Sequence, residues 1–306
     1  MSNSKKSQFQ VRQMTIAQFE KQFVTETDCR DYLQANRWPE GVCCARCGNT
    51  DVFAVGIKEH HWQCKACAVD GYRFSVLVGT IFENTNKPLR QWFCVMHMML
   101  TSKRGISALQ VHRVMGFGSY ETTLNMCNKI RVALSNVEFK QLIGFVELDE
   151  TFVGGKAKNK HKCHSGRGDN GGTGGHGKAI VVGDVEYKGN VIARVIDNVS
   201  GATLTRFARE VLSTEVSLLS ADEANGYRNL NPEYPHGFGR HSRDEYVHGA
   251  RHTNTTEGFW SILQRGVIGT FHKVSAKYLP LCVNEIEFCY NNRMNADIFG
   301  VAIRAC

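Results

Sequence analysis

The sequence predicts an α/β chain, with a mixed-sheet domain in its C-terminal half preceded by a small metal knuckle and a helical region. Three observations carry the prediction. Two Cys-x-x-Cys turns stand near the N-terminus, apolar residues at helical spacing run from Asn86 to Leu134, and β-branched strand patterns alternate with an amphipathic helix after residue 141.

The composition bounds the partners. A chain of 306 residues is long enough for two or more domains, and its net charge of +8 with a pI near 8.9 suits a polyanion such as nucleic acid. Met1 to Met14 is polar, and the most apolar later run, Trp92 to Leu100, is short and contains His97. Neither a signal peptide nor a membrane span is expected, and the chain reads as cytoplasmic. Twelve cysteines in such a chain point to reduced thiols and metal ligation more than to a disulfide framework.

Thr15 to Asn36 has the apolar spacing of one helix, which Trp38-Pro39-Glu40-Gly41 breaks. Cys44 and Cys47 follow, then Cys64 and Cys67, with sixteen residues between the pairs. That is the spacing of a four-thiolate zinc ribbon, and Cys43 could shift its register by one. With all four positions filled by protein, the Zn²⁺ is structural. Arg46, Lys58, His60, His61, Trp62, Lys65 and Arg73 give it a basic, aromatic setting compatible with phosphate contact or with a solvated face. A helix is predicted after Pro88, a short one from Ser107, and another over Thr122 to Leu134, with a glycine turn at 116–119. Helix, turn and basic helix form a helix-turn-helix pattern, in which Lys129 and Arg131 would meet DNA, although any antiparallel helical pair imitates it.

Phe145 to Gly155 reads as a buried strand that carries carboxylates, and Glu147 and Asp149 project from one face. An unpaired carboxylate in a core is too costly to keep, so a cation or a protonation shift is expected there, unless the strand is an edge facing water. The basic, glycine-rich stretch after Gly155 holds Lys156 and Lys158 and is a loop against phosphates or a plain linker. Ala179 to Ile196 is a hairpin, Ala202 to Leu212 a helix, and Val216 to Ala221 a strand that delivers Asp222 beside the first strand. His252 to Arg265 is a helix in which Glu257 either caps, paired with Asn254, or joins Asp149 and Asp222 as a third acidic group. Three such groups suit paired Mg²⁺ or Mn²⁺ ions and phosphoryl transfer.

These parts, in this order, resemble the ISXO-type bacterial insertion-sequence transposases. The resemblance runs from Arg37-Trp38-Pro39-Glu40-Gly41 to Tyr290-Asn291-Asn292-Arg293, and is sharpest at Val146 to Gly155, at Ala221-Asp222-Glu223 with Gly226-Tyr227, and at His252 to Ser261. It implies an RNase H-like DDE catalytic domain over 141–306, after a helical segment 1–36, a zinc ribbon 37–82 and a helix-turn-helix-like DNA-binding region 83–140. It further implies that Asp149 and Asp222 are Mg²⁺ ligands, with Glu257 or Asn254 as the third catalytic residue and Glu257 preferred as the anion. Where the family usually carries a basic residue, this chain has Gln264, with Arg265 beside it as the candidate DNA contact. The implied activity is metal-dependent cleavage at element ends and joining to target DNA, by a homo-oligomer assembled on DNA at the nucleoid. A catalytically inactive DNA-binding regulator and an RNase H-like nuclease share the same features. A zinc-dependent hydrolase is disfavoured, because no open His/carboxylate motif is apparent.

Overall fold

The computed structural model describes residues 13–306 except 57, 68–70, 136, 138–139, 155–177, 222–226, 228–229, 231–232, 239–253 and 273, and only the backbone of 236–238 and 254. It divides into two compact units. One holds the chain up to Ser102, Ala108–Val137 and Asn292–Cys306, and the other holds Lys103–Ser107 and Glu138–Asn291.

The first unit opens with two helices, α1 (Ile16–Gln22) and α2 (Glu26–Arg37), where the apolar spacing suggested one. The reason is local. Thr15 with Gln18, and Thr25 with Asp28, each close a capping box, so two sets of orphan amides are satisfied and two helices start. A three-stranded antiparallel sheet follows, β1 (Val52–Ala54), β2 (His61–Cys64) and β3 (Arg73–Ser75). Helix α3 (Leu89–Thr101) begins directly after Pro88, and α4 (Ala108–Met115) packs on α5 (Tyr120–Leu134) across the glycine turn.

The chain returns to this unit at its C-terminus, where α9 (Ile298–Arg304) inserts Phe299 among Phe19, Phe23, Tyr32 and Phe93, with ring centroids 5.4–6.2 Å apart. Tilted and edge-on aromatic packing of this kind adds to the burial gain. The C-terminal boundary is therefore corrected. Residues after Asn291 belong with the N-terminal helices and not with a domain reaching 306, because α9 has its apolar partners there.

The second unit is built on a mixed sheet in the order β6-β5-β4-β7-β8, from β4 (Leu142–Val153), β5 (Ala179–Glu186), β6 (Val191–Ile196), β7 (Leu212–Ala221) and β8 (His236–Phe238). The hairpin partners β5 and β6 are antiparallel, whereas β7 lies parallel to β4, as the crossover helix α6 (Gly201–Val211) requires. Helix α6 covers one face through Leu204, Phe207, Ala208 and Val211. The other face carries α7 (Asn254–Arg265), a π-helical turn at Gly266–Thr270 and α8 (Leu279–Asn291), packed through Phe259, Trp260, Leu263, Val283 and Ile286. Pro280 is no kink. It occupies the first turn of α8, where its missing N–H costs nothing.

On the α6 face Asp184 is fully buried between Leu148 and Ile192 in register, and neither of its carboxylate oxygens has a hydrogen-bond partner among the described residues. Burial first, and then the Glu150 charge, push its pKa well above the ordinary carboxylate range. The folded state therefore keeps a proton that the unfolded chain has lost, and stability falls as pH rises from about 4 toward the folded value. Asp184→Asn, which cannot ionise, is expected to raise the melting temperature more at pH 8 than at pH 5. An equal gain at both values would show that Asp184 is charged in the fold.

Candidate active site

The site is set by how α7 lies along β4. Alternate strand residues are about 6.7 Å apart and every fourth helical residue about 6 Å, so the two rows stay in step for two or three contacts. Three pairs use this match. Glu147 Oε2 accepts from the Thr256 amide at 2.8 Å and from its hydroxyl at 2.6 Å, Asp149 Oδ2 accepts from the Trp260 indole at 2.9 Å, and Thr151 Oγ1 accepts from Gln264 Nε2 at 2.9 Å.

Glu147 is 1% exposed; its Oε2 is met by Thr256, while its Oε1 is buried with no hydrogen-bond partner among the described residues. The first turn of α7 supplies an amide, a hydroxyl and the positive end of the helix dipole. Burial raises its pKa, and the hydrogen bonds from Thr256 oppose that rise.

Asp149 is half-buried. Its Oδ1 accepts from the Glu150 amide at 2.8 Å. Trp260 reaches it because Gly183 stands opposite Asp149 in register. A Cβ at Gly183 would lie 2.6 Å from the indole Cη2, so only glycine leaves room for the ring.

Glu257 is exposed and accepts no hydrogen bond from another described residue. It lines a cleft of about 520 Å³ with Arg104, Trp260, Ser261, Gln264, Arg265, Ile268 and Gly269. The carboxylate that accepts from an amide of the first turn of α7 is Glu147, through Thr256. Asn254 is the first residue of α7, and its side chain is not described. Asp222 lies outside the described residues, but β7 ends at Ala221, which pairs with Leu148, the residue before Asp149. Asp149 and Glu257 are thus a half-buried and an exposed carboxylate carried by β4 and by the helix α7 that packs on it.

The other expected residues divide sharply. The sulfurs of Cys44, Cys47, Cys64 and Cys67 lie within 4.8 Å of one another, with Cys47 3.7 Å from Cys64 and 3.5 Å from Cys67. Tetrahedral Zn–S bonds of about 2.3 Å would place sulfurs about 3.8 Å apart, so the quartet fits a structural zinc and leaves Cys43 out. Arg131 must be corrected as a DNA contact. It is 3% exposed on the inner side of α5, with its guanidinium donating to Asn128 Oδ1 at 3.2 Å. Lys129 is exposed, with Nζ 3.5 Å from the Ile81 carbonyl. Arg265 is exposed at the cleft, and Lys156 and Lys158 lie outside the described residues.

Comparison with known proteins agrees with this arrangement. Residues 141–291 match the model of the ISXO2-like transposase domain, and residues 24–69 match that of the transposase zinc-ribbon domain, together more than half of the chain. The chain belongs to the ISXO2-like transposase family. It is also 27% identical over 260 residues to an uncharacterized protein in transposable element ISH50 of Halobacterium salinarum, covering 80% of this chain and 84% of that protein. An ISXO2-like transposase thus combines a mixed-sheet domain with a cysteine quartet suited to structural zinc. Among its described residues, no helix is long and apolar enough to cross a membrane.

Signals for Trp260 and Gly183 were present in the sequence, but their partnership depends on strand register, which the sequence does not display. Two measurements follow. Metal analysis of the purified protein is expected to give about one zinc per chain, lost together with the near-ultraviolet signal of the ribbon aromatics when the thiolates are chelated away; zinc-free protein with an unchanged spectrum would contradict the fit. Gly183→Ala is expected to displace the Trp260 indole and lower activity at least tenfold, as Trp260→Phe should by removing the same donor; wild-type rates in both would show that the indole does not hold Asp149 in place.

Proposed function

We propose that this transposase binds the inverted-repeat ends of its element and cleaves and joins DNA by divalent-metal-dependent transesterification in an RNase H-like DDE domain. The observation that carries the reading is the alignment of α7 on β4, which brings Asp149, held by Trp260, to the helix that presents Glu257, exposed and without a partner among the described residues. Asp149, Asp222 and Glu257 are the residues that would hold Mg²⁺ or Mn²⁺, with Asn254 as the alternative third donor.

When bound, the ions neutralise developing phosphate charge and favour ionisation of the attacking hydroxyl. The chain's own contribution is position. Glu147 fixes the start of α7 and the Trp260 indole orients the Asp149 carboxylate. Arg265 and Lys129 are exposed cations for the DNA backbone, as Lys156 and Lys158 would be. No covalent protein–DNA intermediate is required, so no serine or tyrosine nucleophile is assigned. Two DNA ends joined in one reaction call for a homo-oligomer on DNA. The α4–α5 pair remains the candidate helix-turn-helix, now without Arg131 at its surface.

Asp149→Asn or Asp222→Asn is expected to abolish strand transfer, by at least a thousandfold, while end binding in a gel-shift assay stays within severalfold of wild type. Glu257→Gln against Asn254→Ala, assayed the same way, identifies the third residue. Retention of strand transfer in either aspartate variant refutes the mechanism, and binding without divalent-dependent cleavage in the wild type would favour the inactive regulator.

A further inference from the structure

Lys103–Ser107 comes from the N-terminal half of the sequence, between α3 and α4, yet it belongs to the unit that contains the mixed sheet. Three contacts fix it there. Gly105 is buried with φ +74°, and a Cβ on it would lie 2.8 Å from the Phe271 ring and 3.2 Å from Glu285 Oε1. The Ile106 amide donates to Glu285 Oε1 at 3.1 Å, and Glu285, on α8, is fully buried. Gly266 opens the π-helical turn against the same loop, where a Cβ would lie 2.7 Å from the Arg104 carbonyl oxygen. Two glycines and a buried carboxylate thus hold the backbone on both sides of Arg104 at distances that a side chain would not allow.

Arg104 itself is exposed and lines the cleft with Glu257, Trp260, Gln264 and Arg265. Its guanidinium makes no hydrogen bond or ion pair with another described residue. A free guanidinium on a fixed backbone is already arranged for an anion, and its planar fork matches a phosphate. The cleft needs such a group, because the exposed Glu257 carboxylate that lines it would otherwise repel a phosphodiester. π-helical turns, like the one that forms this wall, are frequent at functional sites.

We propose that Arg104 is a DNA-backbone ligand of the catalytic cleft, which with Arg265 holds the phosphates of the strand that passes Glu257. This rests on the reading of α7 as part of the catalytic site. It also makes the loop between α3 and α4 a part of the substrate site, although the sequence places it in the helical region.

The test uses the full chain and a fluorescein-labelled DNA duplex in Ca²⁺, with binding followed by anisotropy over a series of salt concentrations. Arg104→Ala is expected to weaken binding severalfold and to reduce the slope of log K against log salt by about 0.9, the loss of one phosphate contact. Arg104→Lys should keep the slope but bind more weakly, and Gly105→Ala, checked for folding by thermal melting, should weaken binding by shifting Arg104. Arg206→Ala, an exposed cation on α6, should match wild type. An unchanged slope for Arg104→Ala overturns the assignment even if Asp149→Asn abolishes strand transfer. A lowered slope beside an active Asp149→Asn protein would keep the phosphate site and discard the catalytic reading.

Discussion

Everything in the candidate site depends on the seating of α7 on β4, and the Glu147 carboxylate is the contact that fixes it. Its Oε2 accepts from the Thr256 amide and hydroxyl at the first turn of the helix, where the positive end of the dipole lies, while burial and an Oε1 without a donor among the described residues work against the charged form. Once Glu147 holds Thr256, the near equality of the strand and helix repeats brings Trp260 to Asp149 and Gln264 to Thr151 without further adjustment. Gln264 is thereby a structural partner of the strand, and its neighbour Arg265 is exposed.

The two faces of the sheet divide their acidic groups by consequence. On the α7 face Glu147 Oε2 and the Asp149 carboxylate are met by fixed donors. On the α6 face Asp184 has no donor among the described residues, and burial pushes its pKa well above the ordinary carboxylate range. Alternation along the strands makes the division, since Asp149 pairs with Gly183 and Leu148 with Asp184. One residue of slip would exchange the faces and destroy the site.

What could be read from the sequence was what short-range chemistry determines. The cysteine quartet follows from two turns, each supplying two sulfurs to one tetrahedral centre. The hairpin, the crossover helix and the parallel return of β7 follow from strand patterns and handedness, and Asp149 stood out as an acid in an apolar strand. The split of the first helix into α1 and α2 was also written locally, in Thr25 and Asp28, but apolar periodicity hid it. Arg131 was misassigned because a basic residue on a helix says nothing about which side packs. Glu147 with Thr256, Gly183 with Trp260, and Gly105 with Glu285 were illegible for one common reason: each is a contact between residues 77 to 180 positions apart, decided by register and packing. The return of α9 to the aromatic cluster is of the same kind.

The most direct test of the central claim is the anomalous scattering of Mn²⁺ in crystals of the full chain. The account predicts a manganese peak in coordination contact with Asp149 on the α7 side of the sheet, with the Trp260 indole still donating to that carboxylate and Glu257 turned toward the ion. Manganese bound away from Asp149, or an α7 displaced from Glu147 when the ion is present, would contradict it.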